Sequence, residues 1–407
     1  MFAALRVRNY RLFATGQLGT NFGTWVQRIA QDWLVLELTG YDPVALGIAG
    51  TLQFLPTVLF SLWAGVLADR LDKRRILLVV GAGAAACALV MCALDVTGVV
   101  RLWHVYVLCV LLGVFSAFDQ PVRNAFVAEV VGKEHLANAV ALNSSSYNLA
   151  RIVGPAVAGL LILWVGTGWV FLLSGLSMAA VLVSLALIDT SAIHRAEPRG
   201  PTRLGEGLRY VRARRDVATL LVMVFFVSAF AINFYTALPI MAANVFHRQA
   251  DGYGTLFTLL AVGTLAGSLL VAQRKAPSPR FLIAAAIGFG VTEAIAGLMP
   301  NYLTCGLMLI LVGLGMMTFL PTATTMVQLA VEPHMRGRVM GLYTLVFLGS
   351  NPIGAPLTGW VAATLGDRMP LVLGGTLAAA TALACGVVLL RVTVPEPATP
   401  EPATAEA

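Results

Sequence analysis

Long apolar runs, interrupted at near-regular intervals by polar, glycine or proline positions, predict twelve helices. They lie at about 12–38, 44–68, 76–96, 103–128, 138–164, 168–188, 218–242, 253–273, 280–299, 303–328, 338–364 and 370–390. Runs of about 20 apolar residues are long enough to cross a bilayer. Segment 189–217 breaks the pattern: it is rich in Arg, Pro and Gly and contains a short amphipathic stretch at 204–211. We read it as a cytoplasmic linker between two six-helix bundles, 1–188 and 218–392. The tail 393–407 alternates Pro, Ala, Thr and Glu, cannot bury a core and is expected to be disordered.

A shift of 200 residues exposes an internal repeat. Gly113, Pro121, Val127 and Val131 fall on Gly313, Pro321, Val327 and Val331, and Leu142, Gly154, Gly159, Gly166 and Gly175 fall on Leu342, Gly354, Gly359, Gly366 and Gly375. Spans four to six thus correspond to spans ten to twelve. The fold class expected is all-α integral membrane, with two pseudo-symmetric bundles related by an axis along the membrane normal.

Composition sharpens this picture. Of 407 residues, 58% are hydrophobic and 12% charged, about half the charge of an ordinary soluble domain. A soluble enzyme and a disulfide scaffold are excluded. Cys87, Cys92, Cys109, Cys305 and Cys385 sit in apolar runs without metal-ligand spacing and read as small buried hydrophobes. The net charge of +7 is a topology signal. With the N-terminus inside, twenty-one Lys and Arg fall in cytoplasmic segments, three (Arg101, Arg248, Arg368) in outer loops, and Arg28, Arg123 and Arg151 within spans. This bias places both termini in the cytoplasm and gives no reason to expect a nucleic-acid partner.

The first span carries polar residues on one side only: Gln17, Thr20, Asn21, Thr24, Gln27, Arg28, Gln31 and Asp32 oppose Leu18, Phe22, Val26, Ile29 and Trp33. Arg28 and Asp32, four apart, can neutralise each other; the same face can line a solute pathway, because ionisable groups within spans are costly and face the protein interior or water. The fourth span repeats the pattern with Asp119, Arg123 and Asn124 around Pro121, whereas its counterpart has the uncharged Thr318, Thr322 and Thr325. The fifth adds Asn148 and Arg151, the seventh Phe234 and Tyr235, and Glu293 stands alone in the ninth. The expected cavity is lined by Asn21, Trp25, Arg28, Arg123, Asn148, Arg151, Phe234, Tyr235, Thr322 and Thr325. Asp32, Asp119 and Glu293 are the carboxylates able to take up and release a proton; burial and a neighbouring Arg shift such a group in opposite directions.

The loop after span two reads Gly65-Val66-Leu67-Ala68-Asp69-Arg70-Leu71-Asp72-Lys73-Arg74-Arg75. Gly four residues before Asp-Arg resembles the signature loop of the major facilitator superfamily, although Asp72 stands where that family usually has Gly. The resemblance implies a cytoplasmic gate formed by Gly65, Asp69, Arg70 and Arg74, with Glu129 as the expected acid for Arg70. Gly154-Pro155-Ala156-Val157-Ala158-Gly159 resembles the superfamily's antiporter motif, and such small residues also suit ordinary close helix packing. The wider runs 36–40, 118–126 and 148–155 are similar to the enterobactin-exporter-like branch, which includes siderophore, macrolide and other drug exporters.

The resemblance implies a secondary active transporter, working by alternating access, for a small organic molecule. Proton-coupled efflux is the reading favoured, with import by proton symport or a non-transporting receptor or scaffold as alternatives. A bacterial cytoplasmic membrane, a monomer, and protons and lipid as the other partners go with it. No cofactor is expected: Gly132-Lys133-Glu134 lacks the phosphate-loop pattern, and the five histidines show no metal-binding spacing. No nucleophile and base cluster suggests an enzyme.

Overall fold

The computed structural model describes residues 3–189, 204–274 and 277–391, without the side chains of 62, 65, 66, 68–70, 133 and 204. The tail 393–407, residues 190–203 of the expected linker, and the side chains of the expected gate residues Asp69 and Arg70, with Gly65 beside them, lie outside the described residues.

Every regular element among the described residues is helical: α1 (Arg8–Thr39), α2 (Pro43–Arg70), α3 (Lys73–Val96), α4 (Leu102–Val165), α5 (Thr167–Ala186), α6 (Leu204–Ala213), α7 (Arg215–Ala231), α8 (Phe234–Ile240), α9 (Ala250–Ala272), α10 (Pro279–Leu298), α11 (Tyr302–Ala330), α12 (Arg336–Leu365) and α13 (Met369–Arg391), preceded by a short 3-10 turn. Several starts are set by local chemistry. Asp42 accepts from the Val44 amide with Pro43 in the first turn, Asp72 caps the Arg75 amide, and Ser278 and Asn301 cap α10 and α11. α4 is two arms, Leu102–Gly132 and Glu134–Val165, broken at Gly132, whose φ of 68° is readily adopted only without a Cβ. The amphipathic stretch expected at 204–211 is α6.

Ten helical stretches are long and apolar enough to cross a membrane, the two arms of α4 supplying two and α7 with α8 one. The other two long helices, α1 and α12, are not among the ten. At 1.5 Å per residue the 32 residues of α1 extend about 48 Å, beyond the roughly 30 Å hydrocarbon core; its polar face and charges are what remove it from a hydropathy criterion.

Packing follows the repeat. In the first half α2 lies on α4, α3 on α5 and α1 on α5; in the second the corresponding pairs are α9 on α11, α10 on α13 and α7 on α13. Matching glycines make matching contacts. Gly113 meets the Gln53 carbonyl of α2 as Gly313 meets the Leu260 carbonyl of α9, and Gly159 meets Ala250 as Gly359 meets Pro43.

The halves join along two seams, α2 with α12 and the second arm of α4 with α9. Thr51 donates to the Pro352 carbonyl (3.3 Å), Thr258 to Ile152 (3.0 Å), and Asn244 to the Tyr41 carbonyl (3.4 Å) and Asp367 (3.2 Å). These bonds run from mid-depth toward the end that carries residues 41–51 and 352–367. Toward the opposite end, Tyr147 is 44% exposed while its ring lies 5.6 Å from Trp25 in the central cluster. With the bonds named above lying on one side of this cluster, we read the opposite end, which bears Lys73, Arg74 and α6, as the side from which a cleft approaches the middle.

Candidate functional site

The polar face of α1 meets the rest of the protein at mid-depth. Arg28 Nε donates to Asp32 Oδ2 at 3.2 Å, and Arg28 Nη1 donates to Gln53 Oε1 at 2.5 Å. Gln31 Nε2 donates to the same Gln53 oxygen at 2.9 Å. Asp32, 2% exposed, accepts from the Tyr253 hydroxyl of α9 at 3.0 Å, a bond from one half to the other. Arg28 also sits over the rings of Tyr235 (4.3 Å) and Phe54 (5.2 Å), both suited to a cation.

Aromatic rings surround this cluster. Trp25 contacts Tyr147 (5.6 Å), Phe257 (5.6 Å) and Tyr235 (6.1 Å), and Tyr235 contacts Phe257 at 5.2 Å. Trp25 Nε1 is buried without an acceptor. Nearer the open end, Gln17 donates to Asn21, and Asn21 to Ser146 (both 2.9 Å). Asn21, Trp25 and Arg28 lie at the centre and are buried in this conformation, whereas Thr24 on the same helix is exposed.

Asp119 and Arg123 form an ion pair one helical turn apart on the first arm of α4. On the second arm, Arg151 donates through Nη2 to Asn148 Oδ1 at 3.0 Å and to the Thr264 hydroxyl of α9. Gly154 lets this arm close on α1: a Cβ there would lie 2.8 Å from the Trp25 Cβ. Gly159 and the Pro155 carbonyl lie on the seam with α9. The antiporter-like motif accordingly acts here as the packing surface that sets the spacing of α1, α4 and α9.

Other expected residues fall elsewhere. Phe234 is buried against Phe289 inside the second half, with centroids 6.4 Å apart, while Tyr235 reaches the centre. Thr322 is buried and donates to the Thr318 carbonyl of its own helix at 2.6 Å, so it too leaves the expected lining. Thr325 is exposed, in an open depression with Pro321, Thr324, Gln328, Tyr343 and Phe347. Glu293 is 2% exposed, with Oε2 unpartnered, beside Gly374 of α13 and separate from Asp32. At the basic end Glu129 pairs with Lys73 at 2.7 Å. Arg74, an expected gate residue, donates to the Leu185 and Ala186 carbonyls, capping the end of α5 within its own half.

Gln53, Phe54, Tyr253, Phe257 and Thr264 belong to this site without having been singled out in the sequence. Gln53 had a readable signal, an isolated amide in an apolar run. Tyr253, between two glycines at the start of a span, resembles an interfacial tyrosine.

The profile of a family described as transmembrane secretion effector matches residues 1–405. The chain is 29% identical over 387 residues to the multidrug efflux pump Tap of Mycobacterium tuberculosis (90% of this chain, 91% of that one). It is 24% identical over 392 residues to macrolide efflux protein A of Streptococcus pyogenes (93% and 95%). The staphyloferrin A transporter of Staphylococcus aureus is 25% identical over 251 residues, 61% of this chain and 63% of that protein's length. Among solved structures, an inward-facing, unoccupied bacterial homologue of the lysosomal transporter Spinster superposes with a TM-score of 0.74 at 16% identity (95% and 98% covered). A D-xylose–proton symporter gives 0.73 at 12% (93% and 97%). At these identities the two structures establish the fold.

Proposed function

The chain belongs to the transmembrane secretion effector family of the major facilitator superfamily, and we propose that it is a proton-coupled exporter of small organic molecules. It is a multi-pass membrane transporter. We further propose a bacterial cytoplasmic membrane with both termini inside, in keeping with the basic residues around Lys73, Arg74 and α6, so that the cleft opens to the cytoplasm. Efflux is supported by the drug and macrolide pumps to which the chain is similar over nine-tenths of its length.

One observation carries the coupling: a buried carboxylate, Asp32, holds a tyrosine of the opposite half while neutralising Arg28. The ionised cluster stabilises the closed middle because each charge has a partner and the Tyr253 hydroxyl an acceptor. Adding a proton to Asp32 removes the counter-charge of Arg28 and leaves a guanidinium buried unpaired, an arrangement costly enough to part the halves. In the cycle we infer, substrate enters from the cytoplasm with Asp32 ionised. Substrate pulls apart the Asp32–Tyr253 link as the outer end opens; a proton taken from outside binds Asp32 and keeps the middle parted while substrate leaves, and re-formation of the Arg28–Asp32 pair discharges that proton inward as the seams close. Asp119, paired to Arg123 and nearer the cleft, is the second candidate; Glu293 lacks such a link between the halves.

Accumulation of ethidium, a macrolide and carboxyfluorescein in efflux-deficient cells, with and without an uncoupler, tests this. Expression is expected to lower accumulation of at least one of the three and the uncoupler to restore it. Extrusion indifferent to the uncoupler would reject proton coupling, and raised accumulation would reject export. Tyr253→Phe keeps the ring and removes only the bond to Asp32. Loss of a hydrogen bond to a charged group, about 1.5 kcal/mol, is expected to slow proton-driven transport in proteoliposomes about tenfold without lowering protein yield.

A further inference from the structure

The charges at the middle of the protein do not balance. Arg28 is matched by Asp32 and Arg123 by Asp119, whereas Arg151 has no carboxylate partner among the described residues. Its hydrogen bonds go to the neutral groups Asn148 and Thr264, and its Nε is buried without an acceptor. Arg151 lies halfway along the membrane-crossing arm Glu134–Val165, where an uncompensated cation is expensive. One helical turn away on the same face, Tyr147 is 44% exposed and touches Trp25, so the guanidinium borders both the cleft and the aromatic cluster.

We propose that Arg151 is the subsite for an acidic group of the transported molecule, and that the substrate class is aromatic or amphipathic organic anions. This rests on the export reading above and adds the sign of the cargo. The carboxylate takes the free Nε and competes with Thr264 for the guanidinium, while Trp25, Tyr147 and Tyr235 receive the apolar body. Because the Arg151–Thr264 bond joins α4 to α9, an anion that draws Arg151 away from Thr264 also loosens a seam between the halves. Binding and opening are thereby linked at one side chain.

The test uses the full-length protein in proteoliposomes with an imposed pH gradient, and follows carboxyfluorescein as the anion and ethidium as the cation. Wild type is expected to move carboxyfluorescein. Arg151→Gln should lose about ten- to a hundredfold in that rate, the range for a charge-assisted bond, and Arg151→Lys should recover part of it. Thr264→Val frees the guanidinium and should tighten carboxyfluorescein binding about threefold, read by quenching of tryptophan fluorescence; a merely structural Arg151 predicts no gain. If wild type moves ethidium but not carboxyfluorescein, the anion assignment fails and export stands. If it moves neither, both fail. Undiminished carboxyfluorescein transport by Arg151→Gln, or unchanged affinity in Thr264→Val, would also overturn the proposal.

Discussion

Asp32→Asn is expected to abolish concentrative transport while leaving the protein folded and able to exchange substrate down its gradient. The substitution keeps the shape of the side chain and an oxygen able to accept from Tyr253, so the bond between the halves survives. What disappears is the charge change on proton uptake. One proton moving through 100 mV supplies about 2.3 kcal/mol, and at about 1.4 kcal/mol per tenfold ratio this supports a gradient of roughly 40-fold. The variant should therefore fall from a ratio of that order to one near unity in energised vesicles, with counterflow of preloaded substrate retained. Arg28 left without its counter-charge also favours the open middle, so a cysteine introduced at Gln53 should react faster with a water-soluble maleimide than in the wild type. A variant that still concentrates substrate would move the coupling role to Asp119 or Glu293; the same measurement on Asp119→Asn and Glu293→Gln then decides which.

Much of this fold is legible in the sequence because membrane spans are written in hydropathy, which depends on composition over about 20 residues and not on tertiary contacts. The span that departs from the rule, α1, does so for a functional reason: its polar face meets protein, so the helix with the least apolar sequence forms the core of the site. The repeat is visible from the fourth span onward because α4 and α11 keep an offset of 200, Gly113 corresponding to Gly313. It is hidden in α2 and α9, where the equivalent contacts pair Gln53 with Leu260 and Pro43 with Ala250, an offset of 207. A difference of seven residues between the halves thus erases the match at a fixed shift while preserving the packing.

The site was legible only along single helices. Arg28 with Asp32 and Asp119 with Arg123 are contacts at i and i+4, which periodicity reveals. Tyr253 on Asp32, Thr264 on Arg151 and Gln53 on Arg28 join residues 221, 113 and 25 positions apart, and nothing local marks such partners. Phe234 sits inside its span, directly after the break between α7 and α8, and sequence alone does not say whether an aromatic residue there serves the bundle interior, where it packs on Phe289, or the cavity.

Gly47→Val and Gly254→Val are expected to hold apart the end of the protein that is closed here, and together to stop the cycle. A Cβ on Gly47 would sit 2.7 Å from the Ala355 carbonyl oxygen, and one on Gly254 would collide with the Pro155 carbonyl. In both cases the obstacle is backbone of the opposite half, which cannot rotate away as a side chain can. Overpacking of this kind costs about 1–3 kcal/mol per site. Only the conformation with the seams closed bears that cost, because each seam separates when this end opens. Each substitution should then shift the balance toward the open end about 5- to 150-fold, and the two seams, which share no residues, should add. A cysteine at Thr51, whose hydroxyl bonds Pro352 in the closed seam, reports the shift by faster reaction with a membrane-impermeant maleimide in a background lacking the native cysteines. Gly288→Ala, where a Cβ meets nothing within 4 Å, is the control expected to change neither labelling nor transport. Wild-type transport by the double variant would mean that the two seams move as fixed joints, and the cycle would have to open the cleft by bending within a half.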